Sequence, residues 1–144
     1  MGIEYHYENS FQLVDEQKYT NWIMLVCTTY NIGLDRLVFV FCDDDYLLHI
    51  NQTFLKHTTL TDIITFDYAT TQVIHGDIFI STQRVKENAI KYEKYLDNEM
   101  LRVMAHGMLH LLGFNDKTDE ERVLMREKEE ETIQLFHVER RYVS

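Results

Sequence analysis

Residues 98–121 read NEMLRVMAHGMLHLLGFNDKTDEE. From Asn98 to Leu112 the residues are apolar at nearly every position, which reads as a helix buried almost all round. One polar stripe interrupts it: Glu99, Arg102, His106 and His110 recur at spacings of three and four, so they share a face. A buried helix must satisfy such a stripe somewhere. His106 and His110 are four residues apart, which puts their Cβ atoms about 5–6 Å apart and lets both imidazoles reach one ion. Gly113 stands where a helix commonly ends, and the chain can then turn back to carry Asp116 to the same point. Two imidazoles and a carboxylate make a three-ligand set that leaves positions open, the pattern of catalytic rather than structural zinc. The competing reading is a pair of hydrogen-bonded core histidines.

The residue after the first histidine narrows the chemistry. A zinc protease of the HExxH kind carries its general base there as glutamate, and this chain has Gly107. A peptidase is therefore disfavoured. Glycine inside a helix costs about 1 kcal/mol relative to alanine, so its presence points to a close approach of something to the helix backbone.

Outward from this stretch, the chain alternates strands and helices. IEYHY near the start, RLVFVFC ending at Cys42, DIITFDY (62–68) and HGDIFIST (75–82) read as four strands. Helical patterns cover Glu16 to Tyr30 with Asp15 as N-cap, a second segment opened by Asp43–Asp45, Thr82 to Tyr95, Asn98 to Leu112, and Asp119 to about Phe136. The three acids at 43–45 read as cap and surface, and KEEE at 128–131 as a solvated face. The fold class expected is α/β: one domain over residues 1–144, with a small mixed four-stranded sheet and about five helices. The sheet is expected to be mixed because the third and fourth strands are close enough to form a hairpin.

Composition bounds the rest. The chain has 144 residues and a net charge of −10, which argues against a free-standing nucleic-acid binder because phosphate contacts need Lys and Arg. A local basic patch or a partner can still supply the field. Cys27 and Cys42 lie in apolar runs and read as buried thiols. No apolar run approaches the ~20 residues of a membrane helix, and no targeting signal is seen, so the expected location is cytoplasmic and away from membranes.

HGMLHLLGFND closely resembles the signature HGxLHLLGYDH of the YbeY family, metal-dependent endoribonucleases of rRNA maturation and ribosome quality control. The resemblance extends along most of the chain. Leu60 to Tyr68 looks like the family's PT(D/N)VLSFP segment, and Asn51 falls ten residues before Thr61, in register with LNxxYR. Gly76, Asp77 and Ile78 look like its GDI strand, and Met125 lies nine residues past the third ligand position. Two departures stand out. The third ligand, His in the family, is Asp116 here, with Asn115 before it. The family's Arg, four residues after the Asn, is Leu55.

The resemblance implies a zincin-like metal helix with His106, His110 and Asp116 as ligands to one divalent ion. Zinc is expected first, and nickel, iron or manganese also suit such donors. It implies a single-strand endoribonuclease acting in late 16S rRNA 3′-end processing, with rRNA and the small ribosomal subunit or a ribosomal protein as partners. Attack on phosphorus by water or by the ribose 2′-OH is left open. His57 is read as a candidate acid, base or phosphate contact, against a surface histidine. Asp77 is read as a candidate to orient water or a ligand histidine, against a turn aspartate. Tyr68, Phe66 and Phe114 are read as stacking surfaces or core. Arg84, Lys86, Lys91 and Lys94 give one helix a basic bias. The rival functions are a non-catalytic ribosome-assembly or RNA-binding factor with a structural metal, and a hydrolase of another substrate.

Overall fold

A computed structural model of the chain describes residues 2–56 and 61–143, with side chains as far as residue 137. Four strands form one sheet: β1 (Gly2–Tyr7), β2 (Gly33–Cys42), β3 (Ile63–Asp67) and β4 (Val73–Ser81), in the order β1-β2-β4-β3. β1 and β2 are parallel, β2 and β4 are parallel, and β3 runs antiparallel to β4 as the expected hairpin. β2 is central, which explains its unbroken apolar run. Leu37, Phe39 and Phe41 point to one face and Val38, Val40 and Cys42 to the other, and all six are buried.

Five helices cover the sheet: α1 (Glu16–Thr29), α2 (Asp44–Ile50), α3 (Thr82–Lys91), α4 (Leu96–Leu111) and α5 (Asp119–Val143). Residues of α1, α3, α4 and α5 join Leu37, Phe39, Phe41, Ile78 and Ile80 in the larger core. Leu47 and Ile50 of α2 form a smaller core on the opposite face with Cys42 and Ile64. The α1 N-cap is Asp15, whose side chain accepts from the Lys18 amide. Trp22 is fully buried and its Nε1–H donates to the Thr132 carbonyl at 2.8 Å, which ties α1 to α5. Both cysteines are free and buried. Among the described residues no helix is long and apolar enough to cross a membrane.

The element boundaries depart from the sequence reading in instructive places. Leu96, not Asn98, opens α4, and α3 stops at Lys91 because Glu93 takes a left-handed φ of 55°. α2 continues as a π-helical turn over Asn51–Leu55 and ends where Lys56 takes φ 56°. The acids at 43–45 are not all surface: Asp44 accepts from Ser81 Oγ at 2.7 Å and from the Arg84 guanidinium at 2.7 Å.

Two glycines set how closely α4 lies on the sheet. A Cβ on Gly107 would stand 3.0 Å from the δ-methyls of Ile63 and Ile78, so the helix backbone rests on β3 and β4 at that point. This is the close approach that the sequence implied, and sheet side chains make it. A Cβ on Gly76 would stand 2.5 Å from the Phe66 carbonyl oxygen and 2.9 Å from Leu111, so the end of α4 sits over β4 at a place only glycine leaves open.

Candidate metal centre

α4 ends over this glycine-lined contact. Gly113 takes φ +102°, and the Gly113 and Phe114 amides donate back to the His110 and Leu109 carbonyls at 3.0 Å each. The chain thus turns within two residues and returns Asp116 beside the helix. A capping box then starts α5: the Glu121 amide donates to Thr118 Oγ1 at 3.1 Å, and Glu121 Oε1 accepts from the Thr118 amide at 2.9 Å. Arg122 donates to the Lys117 carbonyl at 2.7 Å and pairs with Asp119, so both ends of the Asp116 loop are held. The Thr118 amide first, and then Lys117 and Asn115, hold the Glu121 carboxyl below its ordinary range against desolvation.

The three expected ligands converge. His106 Nε2 and His110 Nε2 are 2.9 Å apart, and Asp116 Oδ2 is 3.2 Å from the first and 3.4 Å from the second. Donor atoms about 2.0–2.1 Å from a tetrahedral zinc stand about 3.3–3.4 Å from each other, so this triangle is near the size such an ion requires. The hydrogen bonds behind the rings make the same point chemically. His110 Nδ1 faces the Phe114 carbonyl at 3.0 Å, and a carbonyl only accepts, so that nitrogen carries the proton. His106 Nδ1 faces Glu129 Oε2 at 2.7 Å and donates to it. In the neutral rings both Nε2 atoms then present lone pairs to one another and to a carboxylate oxygen. A cation where the three lone pairs converge satisfies all of them at once, and the residues fit a metal ion.

Glu129 is the functional residue that the sequence reading missed, having been counted in the acidic face at 128–131. It is only 7% exposed and pairs with Arg102 at 3.0 Å as well as with His106. The signal was present: Met125, Glu129, Thr132 and Phe136 are the buried stripe of α5, spaced by four, three and four, and one of them is charged. Burial pushes the Glu129 carboxyl up, but His106 and Arg102 outweigh it and hold it below its ordinary range. Burial pushes His106 down, but Glu129 first and then Asp116 and Asp62 outweigh it and raise it.

A cleft of about 570 Å³ lies in front of the triad. One wall is His106, His110 and Asp116; the other is β3, whose outer edge pairs with no strand among the described residues. Asn51 and Leu55 of the π-helical turn close one side. Asp62 lines the same cleft, and burial raises its carboxyl.

The other candidates lie elsewhere. Asp77 points away from α4, on the face of β4 opposite Ile78, and accepts from the Tyr68 hydroxyl at 3.0 Å. It does not line the cleft. His57 lies outside the described residues. Phe66 stacks on Tyr68 on that far face, and Phe114 packs edge-on against Tyr30. Arg84 is committed to Asp44 and Glu87, which removes it from a basic patch. His75 belongs to β4, 3.4 Å from Asp35.

Comparison with known proteins decides the family. The family model described as Endoribonuclease YbeY matches residues 4–137. The chain belongs to the YbeY family. Among the relatives named Endoribonuclease YbeY, that of Flavobacterium psychrophilum is 47% identical over 94% of this chain and 97% of its own. That of Christiangramia forsetii is 50% identical over 95% of this chain and 96% of its own. A Thermotoga maritima protein solved in solution shares the fold, with a TM-score of 0.68 and 24% identity over 98% of this chain and 93% of that one.

Proposed function

We propose that this chain is a metal-dependent endoribonuclease of rRNA maturation, acting on single-stranded RNA in the cytoplasm with the small ribosomal subunit as its setting. The relatives named as endoribonucleases support the reaction class. The observation that carries the chemistry is the triangle of His106, His110 and Asp116 with both histidine tautomers fixed from behind. The finer assignment, processing at the 3′ end of 16S rRNA, is part of the same proposal.

Zinc is the ion proposed, since two imidazole nitrogens and one carboxylate oxygen at these separations match its tetrahedral preference. When bound, such an ion polarises a phosphoryl oxygen and lowers the pKa of water to about 7. The chain's own residues do the positioning. Phe114 and Glu129 keep the two Nε2 lone pairs aimed at one point, and Arg102 keeps Glu129 charged beside His106. The unpaired edge of β3 and the wall at Leu55 confine a strand to the cleft in front of the triad.

The test is elemental mass spectrometry on untagged protein, with cleavage of a single-stranded oligoribonucleotide measured in parallel. About one transition metal per chain is expected in the wild type, reduced in Asp116→Ala, with cleavage lost in His106→Ala. Undiminished cleavage by His106→Ala, or no metal bound after reconstitution, sinks the proposal.

A further inference from the structure

Among the arginines whose side chains are described, those up to residue 137, all but one have a carboxylate partner. Arg36 pairs with Glu4, Arg84 with Asp44 and Glu87, Arg102 with Glu129 and Glu130, and Arg122 with Asp119. Arg126 makes no ion pair and no hydrogen bond among those residues, although the chain carries 24 acidic side chains against 14 basic ones. It follows buried Met125 on α5, and its side chain lines a recess of about 250 Å³ with Asp62, Arg102, His106 and Glu129. That recess and the cleft before the triad share Asp62, Ile63 and His106, so the two adjoin at the ligand histidine and are together called the groove.

The larger cleft has no lysine or arginine in its described lining. Leu55, 41% exposed, stands on its wall and offers no donor. A polyanion in this groove would meet Asp62, Asp67 and Asp116 in the cleft, with little to offset them. Arg102 cannot serve, because its guanidinium is spent on two glutamates. Among the described residues, Arg126 is the one arginine or lysine lining the groove whose donors are free. A guanidinium offers five N–H donors in a planar fork that matches phosphate oxygens bidentately.

We propose that Arg126 forms a phosphate subsite, binding a backbone phosphate of the single-stranded RNA beside the phosphodiester that lies at the metal triad. The inference rests on the endoribonuclease reading above. It places the RNA-holding cation on α5, in the recess that shares His106 with the cleft and not on the wall that holds Leu55. The strand then runs from the β3 edge past His106 toward α5.

The test is fluorescence anisotropy of metal-loaded protein with a single-stranded 2′-O-methyl phosphorothioate oligoribonucleotide, which resists cleavage, across a potassium chloride series. Arg126→Ala should raise Kd about tenfold, the loss of one charge-assisted contact. It should also flatten the slope of log affinity against log salt by about 0.7, the value for one phosphate on a single strand. Arg126→Lys should recover the slope while binding more weakly than the wild type, since an ammonium keeps the charge and loses the fork. Melting temperature and metal content should not change in either variant, and Arg36→Ala on β2, outside the groove, should leave the slope alone. If the wild type binds and Arg126→Ala matches it in both Kd and slope, the subsite is wrong while the endoribonuclease reading stands. If the wild type does not bind the strand at any salt concentration, both fall.

Discussion

His106 and His110 are interchangeable in the sequence motif, four residues apart on one helix face, yet the structure supports them differently. His106 leans on a carboxylate that is buried and paired with Arg102; His110 leans on the Phe114 carbonyl, part of the turn that ends its own helix. The first support is charged and comes from 23 residues away on another helix, while the second is neutral and local. A carboxylate behind an imidazole raises its basicity toward a metal and favours its protonated form when no metal is bound. A carbonyl fixes the tautomer with less electronic effect. One ligand is thus tuned by tertiary structure, the other placed by the helix end.

The largest effect expected from breaking this asymmetry is at Glu129. Glu129→Gln keeps an acceptor for the His106 Nδ1–H but removes the charge, and metal affinity should fall about 10–100-fold. Competition with a fluorescent zinc chelator measures it. A purely structural role for Glu129 would leave the dissociation constant unchanged.

The next effect is on pH dependence, read in metal-free protein. His106 is raised above its ordinary 6.5, so its share of stability is full below pH 6.5 and is lost as pH rises through the folded value. Glu129 is lowered below its ordinary 4.5, so its share is present above pH 4.5 and is lost as pH falls through the folded value. The pair therefore contributes most between about pH 4.5 and 6.5. Thermal melts in EDTA should show the melting temperature declining above that window. Glu129→Gln should remove most of that decline, and an unchanged profile in the variant would mean that the pair is not the titrating unit.

How much of this was legible beforehand follows the same division. The local support was readable: HxxxH on an apolar helix, a glycine after it and an acid three residues on are near neighbours, and helix geometry with the turn at Gly113 brings them together. The hairpin, the central strand and the buried cysteines were readable too, because each rests on short-range pattern. The tertiary support was not. Glu129 sits among Lys128, Glu130 and Glu131, where composition says solvent, and only its place on the Met125–Phe136 stripe marks it as turned inward. The placing of Asp77 away from the cleft was hidden for a related reason. Strand alternation put it on the face opposite Ile78, but which face α4 covers is decided by the Gly107 and Gly76 contacts, which no local pattern states. The partner of Asp44 was hidden likewise, since Arg84 lies 40 residues away.

The smallest effect sharpens the comparison from the His110 side. A Cβ added at Gly113 meets nothing within 4 Å, so Gly113→Ala introduces no clash, and its cost is the backbone strain of φ +102°. That strain is worth about 1–2 kcal/mol, and the turn can relieve part of it by rotating the Phe114 carbonyl away from His110 Nδ1. Metal affinity should then fall by a few-fold at most, well short of the Glu129→Gln loss, because a displaced neutral acceptor can be replaced by water at this half-exposed ring. The same chelator competition reads both variants. If Gly113→Ala weakens the metal more than Glu129→Gln does, the local turn is the dominant support and the carboxylate from α5 is secondary.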